Sequence, residues 1–139
     1  MPELQEGCYK LNSEHVGARF FMHARGLVMG SFREIDPAQF ARHFLNVPYA
    51  DEDPRQMMDI WLPNEGEGPF PLIVFVHGGG WVSGNKRENT MPGVFKFPSQ
   101  GYAVACIEYR LVPDVHWPEP LEDVRAAIRS LRAHAAEYN

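Results

Sequence analysis

Three stretches carry most of the apolar pattern. Leu72 to Val76 is an unbroken apolar run with β-branched Ile73, Val74 and Val76. That length and composition predict a strand buried on both faces, as in a parallel sheet covered by helices. Tyr102-Ala103-Val104-Ala105-Cys106-Ile107 predicts a second buried strand. Further on, Leu121, Val124, Ile128, Leu131 and Ala135 recur at helical spacing. Asp123, Arg125, Arg129 and Arg132 fall elsewhere on the wheel, so a helix is predicted to about Ala136.

Weaker patterns fill the gaps. Met58, Ile60 and Leu62 alternate with Asp59 and Trp61, which predicts a half-exposed strand. With Val47-Pro48-Tyr49 across the polar turn from Asp51 to Arg55, it makes an antiparallel hairpin at a sheet edge. Asp36-Pro37 has the form of a helix start, with Asp as N-cap and Pro in the first turn. The helix predicted there runs through Leu45, with Phe40, Phe44 and Leu45 on one face. Asn64 to Pro69 is a loop by composition. Pro92 opens a short or bent helix over Gly93 to Phe97, interrupted by Pro98 and ended by Gly101. Residues 1 to 35 have broken periodicity. They read as an N-terminal extension of partly helical character, either a cap over the site or a partly disordered tail. The order from residue 36 is helix, two strands, buried strand, helix, buried strand, helix. This alternation predicts an α/β fold with a mostly parallel sheet and right-handed crossovers. The last helix leads to no further strand within the 139 residues.

Composition narrows the function classes. With 139 residues and 45% hydrophobic content, the chain can build one domain with a substantial core. A net charge of -5, and no basic run longer than Lys86-Arg87, argue against nucleic acid or an anionic membrane as partner. No apolar stretch approaches the roughly 20 residues that span a bilayer. The acidic start Met1-Pro2-Glu3-Leu4-Gln5-Glu6 is followed by no apolar signal core, so a cytoplasmic location is expected. Cys8 and Cys106 fit no metal or redox spacing. Cys106 reads as a small core residue, and a reducing compartment follows. No metal spacing links His15, His23, His43, His116 and His134, and no cofactor is implied.

The candidate chemistry lies where the run Leu72 to Val76 stops, at His77-Gly78-Gly79-Gly80-Trp81. Glycines just past the carboxyl end of a buried strand let the backbone turn sharply and approach another molecule. The carboxyl ends of parallel strands are where open α/β sheets bind ligands. One reading is an oxyanion hole, in which the Gly79 and Gly80 N–H groups stabilise the negative oxygen of an acyl-transfer intermediate. Each such donor contributes on the order of 3 kcal/mol. A phosphate loop would need a Lys-Ser/Thr pair at another spacing, and a packing turn is the plain alternative. His77 reads as an anchor of the loop rather than a base, since no nucleophile is identifiable beside it. Trp81 and Trp61 line a pocket or pack in the core. Glu108 and Arg110, at the end of the second buried strand, read as structural. So do Asp59 and Asp123, and Asp123 is placed to pair with Arg110 from the first turn of the last helix.

These motifs together resemble the N-terminal part of α/β-hydrolase esterases, particularly the hormone-sensitive-lipase-like and carbohydrate/feruloyl-esterase-like carboxylesterases. The resemblance covers about residues 45 to 139. It rests on Met58 to Pro63, on Pro71 to Gly84, on Gly101 to Pro113 with Glu108-Tyr109-Arg110-Leu111, and on Pro118 to Val124. It implies the N-terminal half of an α/β-hydrolase fold over residues 36–139, an incomplete domain, with residues 1–35 as the extension. It also implies an oxyanion hole from Gly79 and Gly80, supported by His77, Gly78 and Trp81. The family further needs a Gly-x-Ser-x-Gly elbow, then Asp or Glu, then His. The five serines are Ser13, Ser31, Ser83, Ser99 and Ser130, and none stands between the required glycines. None of the triad is therefore expected in this chain, which is read as truncated before the elbow and inactive alone. In the complete protein the partner would be a small-molecule ester. The alternative is a non-catalytic half-domain that pairs with a complementary chain or binds a small acid. The family strand order 1-2-4-3-5 would leave Leu72 to Val76 as an apolar edge, open to self-association.

Overall fold

A computed structural model describes residues 21–23, 26–28, 40–87 and 93–138. The chain forms two compact units, Met1–Glu34 and Ile35–Asn139. In the first, strands β1 (Phe21–His23) and β2 (Gly26–Val28) pair antiparallel, with Phe21 opposite Val28. The described backbone there is extended rather than helical, and the rest of the expected extension lies outside the described residues.

The second unit holds a four-stranded sheet of β3 (His43–Pro48), β4 (Met57–Trp61), β5 (Leu72–Val76) and β6 (Ala103–Ile107), in the order β3-β4-β6-β5. This matches the order 1-2-4-3 implied by the resemblance. β3 and β4 form the expected antiparallel hairpin, β4 pairs antiparallel with β6, and β5 pairs parallel with β6, Leu72 opposite Ala103. Helix α1 spans Glu119–Ala133, with Glu119 and Glu122 in its first turn and Arg132 in its last. Those charges complement the helix dipole.

The two faces of the sheet follow the two-residue period of the strands. Met58, Ile60, Ala103, Ala105 and Ile107 meet Ala127 and Leu131 of α1. The small Ala103 and Ala105 let the helix lie close. On the other face Trp61, Val104 and Cys106 pack with Phe40, Phe75 and Val94. Phe40 and Phe95 both lean on the Trp61 ring. Each large side chain fully buried here contributes about 1.5–3 kcal/mol. Cys106 is a core residue, as its pattern implied, and burial pushes its thiol well above the usual range.

Three expectations need correction. The helix predicted through Leu45 is not there: residues 43–48 are β3, while Asp36 and Pro37 lie outside the described residues. The residue before a proline is biased toward extended backbone, and Pro48 exerts that bias on Val47 at the edge of the sheet. Pairing with β4 then overrides local helix propensity. β4 is not half-exposed. Asp59 and Trp61 are both 0% exposed, because β4 lies between two strands and both its faces are covered. β5 is not buried on both faces: Leu72 is 43% and Val76 37% exposed, because β5 has a strand on one side alone among the described residues. The segment from Gly93 is short and interrupted at Pro98 as expected, making the 3-10 turns Val94–Lys96 and Pro98–Gln100, and Gly101 ends the second in the left-handed conformation. Among the described residues, no helix is long and apolar enough to cross a membrane.

Candidate functional site

The glycine loop leaves the carboxyl end of β5 at His77. Val82 N–H donates to the Gly79 carbonyl over 3.2 Å, closing a turn over residues 79–82. Both central residues have positive φ, 61° at Gly80 and 69° at Trp81. A tryptophan in the left-handed region is uncommon and costs of order 1–3 kcal/mol, held by its surroundings. Here the surroundings are Val112 N–H, which donates to the Trp81 carbonyl at 2.9 Å, and the rings of Tyr109 and Trp117, each 5.6 Å from the Trp81 ring. Ser83 Oγ donates to the Gly79 carbonyl over 3.2 Å, so this serine helps to close the turn.

Two glycines are required by close approach. A Cβ on Gly79, where φ is 121°, would lie 2.0 Å from the Ser83 carbonyl oxygen. One on Gly84, where φ is 106°, would lie 2.4 Å from His77 Nδ1 and from the Gly78 carbonyl oxygen. Among the described residues, no backbone or side-chain acceptor takes the N–H of Gly79 or of Gly80.

His77 is buried beneath the loop. Its Nδ1 lies 2.8 Å from the Gly78 carbonyl oxygen and its Nε2 lies 3.3 Å from Glu108 Oε1. The ring stacks on Tyr109 at 4.2 Å, and the Tyr109 hydroxyl donates to the His77 carbonyl at 2.7 Å. These contacts hold the imidazole against the protein. His77, Gly78, Gly80, Trp81 and Tyr109 line an open cavity of about 240 Å³. Trp81 thus lines the cavity, whereas Trp61 is core.

Carboxylates support the loop from outside. Glu108 accepts from Arg55 Nη1 at 2.8 Å and from Lys86 N–H at 3.2 Å. Asp59, on the same face of β4 as Trp61, accepts from Arg87 Nε at 2.6 Å and from Asn46 N–H at 2.7 Å, with Lys86 Nζ at 3.6 Å. Asn46 itself sits at φ 55°, within the register shift of β3. Asp123 accepts from Arg110 N–H, Nε and Nη2 and from Gln56 Nε2. Burial opposes the charge on Asp123, but the hydrogen bonds from Arg110, then Gln56, outweigh it and hold the carboxyl below its ordinary range. The same bonds raise the Arg110 guanidinium. Burial first, and then the charges of Asp123 and Glu108, push the Tyr49 hydroxyl far up, so it stays protonated and donates to the Glu108 carbonyl at 2.7 Å. The spacing of the sequence indicated the Arg110–Asp123 pair. It did not indicate the roles of Tyr109, Asn46 or Lys86, although Gly84 was a visible sign of close approach. Among the described residues, no cluster of three or more His, Cys, Asp or Glu side chains could hold a metal ion.

This sheet, with a glycine loop leaving the edge of its parallel pair, defines part of an α/β-hydrolase of the esterase class, and solved structures agree. A truncated carbohydrate esterase from gut microbiota superposes with a TM-score of 0.67 at 28% identity, over 77% of this chain and 38% of that one. Esterase B of Lactobacillus rhamnosis gives 0.62 at 29% identity, over 70% and 32%. A family described as BD-FAE matches residues 58–139, more than half of the sequence, and the chain belongs to that family. Curated relatives include esterase LipC of Mycobacterium tuberculosis, 33% identical over 100 residues, which are 69% of this chain and 24% of that protein. A probable isoprenylcysteine alpha-carbonyl methylesterase of Arabidopsis thaliana is 31% identical over 114 residues, 81% of this chain and 24% of that protein. The chain spans about a quarter of the length of these curated relatives.

Proposed function

We propose that residues 77–81 form the charge-stabilising half of a carboxylic-ester hydrolase site. The Gly79 and Gly80 N–H groups donate to the oxyanion, and His77, Gly78 and Trp81 support them. The carrying observation is that these two N–H groups have no protein acceptor among the described residues, in a loop that lines a cavity. The parent reaction is acyl transfer to water. A serine attacks the ester carbonyl, a histidine takes its proton and an acid orients the histidine. No Gly-x-Ser-x-Gly occurs in the 139 residues, so the chain is expected to hydrolyse p-nitrophenyl acetate no faster than buffer. Turnover that survives Ser83→Ala and His77→Ala would sink this reading. As a direct test of the donors, titration with acetate should move the Gly79 and Gly80 amide resonances. Unmoved resonances at saturating acetate would count against them.

The alternative, a non-catalytic half-domain that pairs with a complementary chain, is favoured by one observation. β5 presents exposed Leu72 and Val76 on an unpaired edge among the described residues. Apolar edges of this kind recruit further strands. A Leu72→Lys, Val76→Lys double variant is expected to shift the chain toward monomer in sedimentation velocity. Monomer at all concentrations before substitution would remove the case for association.

A further inference from the structure

We propose that Glu108 is a positioning residue of the glycine loop, whose two carboxylate oxygens fix both ends of the loop and so hold its N–H groups in place. The inference rests on the donor reading above and deepens it. Glu108 is 7% exposed and follows directly on β6. Its Oε1 lies 3.3 Å from Nε2 of His77, the residue before the loop's first glycine. Its Oε2 accepts the N–H of Lys86, two residues after Gly84. Between these points run residues 78–85, with Gly78, Gly79, Gly80 and Gly84 among them. Glycines lose the most conformational freedom on ordering, so this segment is a poor candidate to hold its own shape.

Glu108 is itself fixed by groups that are not part of the loop. Arg55 Nη1 binds Oε1 at 2.8 Å, Tyr49 Oη donates to its carbonyl at 2.7 Å, and its own N–H donates to the Met57 carbonyl at 2.9 Å. The staple therefore transmits the rigidity of the β3–β4 hairpin region and of β6 to the loop. A carboxylate suits the task because both of its oxygens accept. The staple takes the His77 tautomer with its proton on Nε2, so that donors face Glu108 at both ends of the loop. A glutamine of the same shape has one acceptor oxygen, so whichever way its amide turns, one of those donors faces an NH2 group.

The test is amide hydrogen exchange on the ¹⁵N-labelled full chain. Glu108→Gln should speed exchange of the Val82 amide, which donates to the Gly79 carbonyl, and of the Val112 amide, which donates to the Trp81 carbonyl, by about tenfold or more, the loss of one hydrogen bond to a charged group. Amides of β6 and α1 should keep their protection, and acetate binding read at Gly79 and Gly80 should weaken by a similar factor. Arg55→Gln removes a buttress of the same carboxylate without touching the loop. Acting through the same carboxylate, it should speed the same loop amides by a smaller factor than Glu108→Gln. Loop exchange in Glu108→Gln that rises only in step with β4 and β6 would overturn the proposal, since a general loss of stability gives that result. Should the glutamine variant fail to fold, Glu108→Asp keeps the charge on a stem too short to reach both ends. It should show the same loop-confined gain, and unchanged loop protection in it would also overturn the staple. If acetate moves neither glycine in the unsubstituted chain, the donor reading fails, whereas the staple is decided by the exchange data alone.

Discussion

Asp123→Ala is expected to lower the stability of the second unit by about 3–5 kcal/mol, the usual cost of removing one partner from a buried ion pair. For a domain of this size that is a fall in Tm of about 15–25 °C. The carboxylate accepts three hydrogen bonds from Arg110 and one from the buried Gln56. Its removal leaves the Arg110 N–H, much of a guanidinium and a buried amide without their acceptor. It also releases the tie between the end of β6 and the start of α1. The acid side of the stability curve gives an independent reading. The native carboxyl titrates below its ordinary 3.8, so the unfolded state binds the proton first. The stability from the pair is then present above that ordinary value and is lost as the pH falls through the lower native one. Asp123→Asn should flatten this acid-side loss. A variant with the same slope below pH 4 as the unsubstituted chain would refute the assignment.

Gly84→Ala and Gly79→Ala are each expected to cost about 2–4 kcal/mol, from a positive φ added to an overlap that backbone must relieve. Gly78→Ala is the control. Its φ is not positive and a Cβ there meets nothing within 4 Å, so it should cost less than about 1 kcal/mol. Urea denaturation separates the three. Equal midpoints for Gly84→Ala and Gly78→Ala would show that the overlap with His77 relaxes freely. In the Gly84 variant the first element to move should be the His77 ring, and its stacking shift on Tyr109 should be lost from the NMR spectrum.

The elements that were legible in the sequence are those whose pattern is strong and local. Leu72 to Val76, Ala103 to Ile107 and the apolar stripe of α1 each stand out without their neighbours. The Arg110–Asp123 pair was legible because both residues sit at element ends, where charge has a purpose. What was lost depends on pairing partners distant in sequence. Val47 and Pro48 already opposed the helix suggested by Asp36-Pro37, but only the ladder with β4 decides the matter. The alternation in β4 marks two faces and cannot say whether water or Phe40 and Phe95 meet the second. An aspartate there suggests solvent, yet Asp59 is buried with Arg87, Asn46 and Lys86 around it. The glycine loop was legible as a motif because close backbone approach demands glycine. Its supports were not, since Glu108 and Tyr109 lie about thirty residues away from His77 and meet it only through the β5–β6 pairing.

That arrangement of supports has a consequence for how the protein is made. Tyr49, Arg55, Met57, Lys86, Glu108 and Tyr109 all lie at or before residue 109. Chains are synthesised from the amino terminus, and their parts fold as they emerge. On the proposed reading, in an esterase whose nucleophile follows later in the chain, the proposed oxyanion donors and their carboxylate staple would all have left the ribosome before the serine does. The charge-stabilising half of the site would then be a template already in place, against which the reactive half docks.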